Sequence, residues 1–342
     1  MNTRKAGVLV ALFISVFFPL LSFGKAEARE KRVVKIFDQS DISGAPYFIA
    51  YEEGFFKQEG LDVEFVKGKS SSEGLLMLLQ GAVDVYEGVV SLAILNAAAQ
   101  GREVKLVAGS TFYVKGSKFA GIVFLKKNVT GEDAPSLVKS VKGAKIGVRQ
   151  IGSLNTFILE RIFEKNGAHL DTDNLVLFPS FALLAMALQN GAVKAALLTE
   201  PFITELKERQ EIVAIYSADE CPDKQAAFLI FGPNLLKDRE AGVKFIKGYL
   251  RGWEQYKQGK TKRNIAILKK HTGFAEEQLE KMFWAVINPD AVFHKEQWIF
   301  ADQMPEFVNK KMIDKAIDPE SLVDPTFLKK AQEQLKDTTS RP

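Results

Sequence analysis

A single cysteine and three histidines are all that 342 residues provide of thiol and imidazole. Cys221 has no cysteine to pair with, so an internal disulfide is excluded. His169, His271 and His294 stand far apart in the chain and lack metal-ligand spacing. No GxSxG elbow, P-loop or GxGxxG turn occurs. A large charge of either sign is also missing. Lys and Arg number 46 against 42 Asp and Glu, a net charge of +4. With no basic stripe interleaved with aromatics, a nucleic-acid partner is not expected. Nor is any cofactor or metal. Beyond Ala28 no apolar run is long enough to span a bilayer.

The stretch up to Ala28 is built differently. Arg4 and Lys5 give a basic start, Ala6 to Phe23 is almost wholly apolar, and Ala26-Glu27-Ala28 is a small-x-small site. These are the three parts of a secretory signal peptide, expected over residues 1–28. A membrane anchor is the alternative, since the run approaches the ~18 residues of a spanning helix. Pro19 and the AEA site favour cleavage near Ala28. Cleavage removes Arg4, Lys5, Lys25 and Glu27 and takes the net charge from +4 to +2. No cysteine follows at the position of a lipid anchor, so a free periplasmic or secreted protein is expected.

The remaining chain repeats itself. LLMLLQGAVDVYEG (75–88) is echoed by LLAMALQNGAVKAALL (183–198). The β-branched run at Val34–Phe37 is echoed at Ala144–Val148. Each run leads into a polar loop (DQSDISG, RQIGSLN) and then an apolar helix, PYFIAYEEGFFKQEGL or TFILERIFEKNGAHL, ending at Gly60 or Gly167. A second strand and helix follow, and the helix closes on GAV. Lys35 recurs as Lys145 and Gly81 as Gly191, an offset of 110 in both cases. That period is too long for a solenoid. Alternation of strand and helix predicts a parallel sheet with covering helices in each unit. FAGIVFLK (119–126) reads as a strand leaving the first unit, and AAFLIF (226–231) as one carrying the chain back. Beyond Arg239 the pattern is helical, with Val243, Ile246, Leu250 and Trp253 on one face and breaks at Gly273, Asn288-Pro289, Asp318-Pro319 and Asp324-Pro325.

APYFIAYEEGFFKQEGLDVEFV, LLQGAVDV, GAKIGV and GAVKAALLTEPF, taken in order, resemble periplasmic solute-binding proteins of ABC importers. The nearest type is the nitrate/sulfonate/taurine group, which includes binders of the thiamine pyrimidine precursor. The likeness runs over about residues 33 to 256. It implies an α/β fold of the type II periplasmic-binding-protein kind. This is a clamshell of two α/β lobes joined by two crossing strands, with C-terminal helices added. Lobe 1 would take 29–122 and 228–342, the latter with the return strand and the C-terminal helices; lobe 2 would take 123–227. It also implies a monomer that delivers a small solute to a membrane permease driven by a cytoplasmic ATPase. A sensory role without an importer stays open. An enzyme of this fold makes the thiamine pyrimidine from its own histidine, but carries a cysteine-rich iron motif. The lone cysteine and the export signal argue against that reading, so no enzyme activity is expected.

Ligands of open α/β sheets bind beyond the carboxyl ends of strands. From the first unit that directs attention to Gln39, Ser40, Asp41 and Tyr47, to Lys69, Ser70 and Ser71, to Tyr86 and Glu87, and to Ser110 and Thr111. From the second come Arg149, Gln150, Gly152, Ser153, Asn155 and Glu200, with Pro179-Ser180 and Thr199 close by. Each has a plainer role available. Ser70 with Glu73 fits a helix-capping box, and Lys69 can be a solvated charge. Tyr47 and Tyr86 can fill core. Glu200 sits in a TEP segment that the family uses near the hinge, where it can simply hold backbone. Lys69 and Arg149 favour an anionic solute, sulfonate- or carboxylate-like. Glu87 and Glu200 would instead suit a nitrogenous heterocycle.

Overall fold

A computed structural model describes residues 32–288, 290–313 and 315–339. The expected signal segment lies outside the described residues. None of the described helices is long and apolar enough to cross a membrane.

The first half of the chain runs β1 (Arg32–Asp38), α1 (Ala45–Glu52), α2 (Phe55–Gln58), β2 (Leu61–Lys67), α3 (Ser71–Leu79), β3 (Val85–Gly88), α4 (Leu92–Ala99) and β4 (Lys105–Gly109). β5 (Phe112–Tyr113) and β6 (Ala120–Leu125) follow. Then come α5 (Ala134–Ser140), β7 (Ile146–Val148), α6 (Leu154–Lys165), β8 (Leu175–Leu177), α7 (Phe181–Gln189), β9 (Ala195–Thr199), α8 (Phe202–Arg209), β10 (Ile212–Tyr216) and α9 (Ser217–Glu220). β11 (Lys224–Gln225) and β12 (Phe228–Phe231) lead to α10 (Pro233–Lys237), α11 (Arg239–Tyr256), α12 (Lys262–Thr272), α13 (Glu276–Lys281), α14 (Ile299–Asn309) and α15 (Thr326–Thr339). The helix expected across 46–59 is broken in two. Gly54 takes a left-handed φ of 73° between α1 and α2, a conformation glycine adopts without steric cost.

Two five-stranded sheets form, in the orders β2-β1-β3-β12-β4 and β10-β6-β9-β7-β8. The repeat offset carries through to strand register. Ile36 is paired with Phe65 and Val85; Ile146 is paired with Leu175 and Ala195. Each sheet is completed by a strand that follows the other half. β6 lies antiparallel to β9, and β12 antiparallel to β3. β6 therefore belongs wholly to the second sheet. The boundary expected between residues 122 and 123 falls within it, and the chain passes from one sheet to the other between Gly109 and Ala120. The segments that pass between the sheets also pair with each other, β5 against β11. The buried Gln225 side chain ties them, its Nε2 donating to the carbonyls of Thr111 (3.0 Å) and Ala227 (2.6 Å).

The apolar faces of α1, α11 and α15 pack on the first sheet. Val243, Ile246, Leu250 and Trp253 are all buried there. Ile158, Leu159 and Ile162 of α6, and Leu184 and Leu188 of α7, cover the second sheet from its two faces.

Candidate functional site

The carboxyl ends of strands from both sheets meet around one cavity of about 460 Å³. On the first sheet's side the chain leaves β1 through Gln39, Ser40 and Asp41, all of which line it. Ser40 has a φ of 54°, a strained position for a residue with a Cβ. Its amide donates to Asp38 Oδ1 at 2.6 Å. Asp41 caps the 3-10 turn Ile42–Gly44, accepting from the Ser43 amide at 3.0 Å. Lys69 and Ser71 line the cavity from the β2–α3 loop, Tyr86 and Glu87 from β3, and Thr111 from the crossing segment. Burial pushes the Tyr86 hydroxyl above its ordinary range, so it stays protonated.

The second sheet contributes Arg149, Gln150, Ser153, Asn155 and Glu200. Ser153 opens α6 with its amide donating to Thr156 Oγ1 at 3.0 Å, while that hydroxyl donates to the Ser153 carbonyl at 2.9 Å. Arg149 lies 4.9 Å above the Phe181 ring, which fixes the face of the guanidinium and leaves its edge donors free. Burial lowers the Arg149 pKa, and the Asp41 carboxylate across the cavity opposes that.

Four expected site residues do not line the cavity. Tyr47 turns into the core beside Phe48 and Phe65, because it sits inside α1 on its buried face. Ser70 caps α3, accepting from the Glu73 amide at 3.2 Å. Glu73 reaches back to accept from the Lys69 amide at 2.7 Å, one residue earlier than the capping box predicts. Gly152 turns the loop at φ 66°, and a Cβ there would stand 2.0 Å from Leu92. Ser110 is fully buried behind the wall and donates to Glu87 Oε1 at 2.9 Å. Glu200 lines the cavity, but its carboxylate is already occupied. It accepts from Thr204 N (3.0 Å), Thr204 Oγ1 (2.9 Å) and Phe283 N (3.2 Å), and so holds backbone of α8 and of the segment after α13.

Sequence reasoning missed most of the apolar lining: Phe119, Phe181, Leu197, Ala226, Ala227 and Phe274 among others. Two of these were within reach. Phe181 is the repeat counterpart of Ser71, and Leu197 that of Glu87. Carrying each candidate across the repeat would have found both. Among the lining residues there is no histidine or cysteine to act as base or nucleophile. No group of three His, Cys, Asp or Glu among the described residues is arranged to hold a metal. The arrangement is suited to binding. It has an aromatic cavity with a stacked arginine on one wall and a buried carboxyl on the other.

A search of curated protein sequences finds no match. Solved structures share the fold. The nitrate-binding protein NrtA from Synechocystis PCC 6803 superposes with a TM-score of 0.70 at 14% identity, covering 90% of this chain and 90% of that one. The alkanesulfonate-binding protein SsuA from Xanthomonas axonopodis pv. citri, bound to MOPS, gives 0.69 at 16% identity over 87% and 99%. The aliphatic sulphonate binding protein SsuA from Escherichia coli gives 0.63 at 17% over 87% and 99%. The architecture is thus that of periplasmic binding proteins. A family model described as NMT1/THI5 like matches residues 42–259, a span that holds the first repeated unit from its first helix onward, the whole of the second and most of the residues lining the cavity, and the chain belongs to that family.

Proposed function

We propose that this protein is the solute-binding component of an ABC importer. It would be exported by the segment ending near Ala28 and work in the periplasm as a monomer. It would capture a small organic anion between two lobes and pass it to a membrane permease driven by a cytoplasmic ATPase. The two sheets would be the cores of those lobes, and the segments around β5 and β11 the hinge. The observation that carries this reading is the cavity itself. It is lined from strand ends of both sheets and holds Arg149, with no carboxylate among the described residues in ion-pair distance. A volume near 460 Å³ falls in the range of sites for organic ligands. A bare inorganic oxyanion would leave most of it to water, whereas an organic body would pack against Phe119, Phe181, Phe202 and Phe274. The proposal is for binding without chemistry.

Thermal-shift screening of the mature protein against sulfonates, carboxylates, nitrate and pyrimidines tests this. An organic anion at ~100 times its Kd should stabilise by about 2.7 kcal/mol. Small-angle scattering with that compound should give a smaller radius of gyration, since a ligand that prefers the closed state shifts the population toward it. A radius unchanged at saturation would rule out closure.

A further inference from the structure

We propose that the solute carries, opposite its anionic group, a hydrogen-bond-donating nitrogen that meets the carboxyl of Glu87; this rests on reading the cavity as the solute site. The repeat supplies the argument. Glu87 and Leu197 occupy equivalent positions in the two units, on the equivalent strands β3 and β9. They pair with the equivalent partners Leu229 and Ile122, and both line the cavity. Leucine is therefore what the fold accepts at this position, and a carboxyl is not needed to build it. Glu87 is 7% exposed, and burying a carboxyl costs stability unless something pairs with it. No lysine, arginine or histidine among the described residues forms an ion pair with it. The groups that face it are Asp41, Tyr47, Tyr86 and Tyr249, with Ser110 donating to one oxygen. The Ser43 hydroxyl donates to Asp41 and also stands close enough to pull on Glu87. None of these supplies a positive charge. The carboxyl lines the cavity, where a donor group of a solute can meet it.

The same comparison assigns the other wall. Arg149 is the counterpart of Gln39, and Phe181 of Ser71; all four line the cavity. The first half thus presents carboxyls and hydroxyls around Glu87, with Lys69 on the β2–α3 loop, and the second half a guanidinium stacked on a ring. A solute with a donor nitrogen at one end and an anionic group at the other satisfies both walls. Burial, reinforced by Asp41, pushes the Glu87 carboxyl up to about 7, against the pull of the Ser43 and Ser110 hydroxyls. A donor nitrogen favours the ionised form, so near pH 7 its binding should release protons. A protonated Glu87 donating to a ligand oxygen would make binding take protons up.

Matched probes test the assignment: taurine against ethanesulfonate, sulfanilate against benzenesulfonate, and each compound from the thermal screen against its des-amino counterpart. Calorimetry at pH 7 in buffers of different ionisation enthalpy should show the nitrogen-bearing member bound about tenfold or more tightly, with proton release. In Glu87→Leu, which removes the acceptor, that preference should vanish. Nitrogen-free organic anions that bind equally well, or a preference that survives Glu87→Leu, or proton uptake, would overturn the proposal and leave the solute-binding reading intact. If no compound of either panel binds, both fall together.

A readout without solute separates binding from structure. The carboxyl's folded pKa lies above its ordinary 4.5. The folded protein therefore loses stability as pH rises from about 4.5 through 7, and the penalty is complete above 7. Glu87→Gln and Glu87→Leu should raise the denaturation midpoint more at pH 8 than at pH 5. A lowered midpoint at both pH values would make Glu87 a structural partner of Ser110 and overturn the assignment.

Discussion

The two halves share a backbone and its register, yet they fill it in opposite ways. In the first half Phe37 on β1 occupies the space over Gly68 and Gly74, where added Cβ atoms would stand 2.1 and 2.4 Å from its ring. The equivalent positions in the second half are Gly147, Phe178 and Leu184. Here the strand carries the glycine, and a Cβ on Gly147 would stand 2.2 Å from Leu184 and 3.3 Å from Phe178. Large and small residues have changed places while the space between strand and helix stays filled. Interiors are close-packed, so one partner's volume dictates the other's. The cavity walls differ in chemistry. Glu87 stands in Leu197's place, and Gln39 beside Ser71 stands where Arg149 is stacked on Phe181. Packing explains the first kind of difference. The second sets a carboxyl on one wall and a guanidinium on the other, which is what the proposed solute would use.

The packing half of that comparison can be broken most forcefully. Phe37→Gly should cost about 3–5 kcal/mol or more, as for other large-to-small core changes. Gly74→Leu should cost about 1–3 kcal/mol by overpacking. The double variant transplants the second half's solution into the first, so urea denaturation should show it less destabilised than the two single effects combined. Strict additivity would mean the pairs do not share one space.

Arg149→Gln makes the two walls alike at that position. Charge-assisted hydrogen bonds contribute roughly 1.5–3 kcal/mol. We therefore expect affinity for an anionic solute to fall by about 10- to 150-fold in calorimetry. An unchanged Kd would move the anion away from this residue.

The smallest effects sharpen the comparison where the halves agree. Ser70 and Ser180 cap α3 and α7, each accepting from the amide three residues on at 3.2 Å. Ser70→Ala and Ser180→Ala should each cost about 1 kcal/mol, equally and additively. Only Ser180 lines the cavity, so only its removal should also change solute affinity.

Much of this was legible because it is local. The alternation of strand and helix, the glycines at 60 and 167, and the Ser70 cap all act within a few residues, and the repeat shows wherever such features recur. Direction of a side chain is less legible. Tyr47 and Tyr86 look alike in sequence, each amid apolar neighbours. One lies on the inner face of α1 and the other at the mouth of β3, and only the second reaches the cavity. Glu200 leaves two roles open in the sequence, ligand contact or backbone support, until Thr204 and Phe283 are brought to it, the latter from far along the chain.

Periodicity and capping are short-range, so the double use of one strand–helix unit and the order of its elements could be read from the sequence, while the break of its first helix at Gly54 could not. The tertiary structure alone decided that each sheet borrows its antiparallel strand from beyond the other half, and that Phe37 yields to Leu184 across the repeat. It also decided that Glu87 and Arg149 stand on opposite walls of one space. Those outcomes depend on pairing and packing between residues remote from each other in the chain, and a local pattern carries no record of what it will meet.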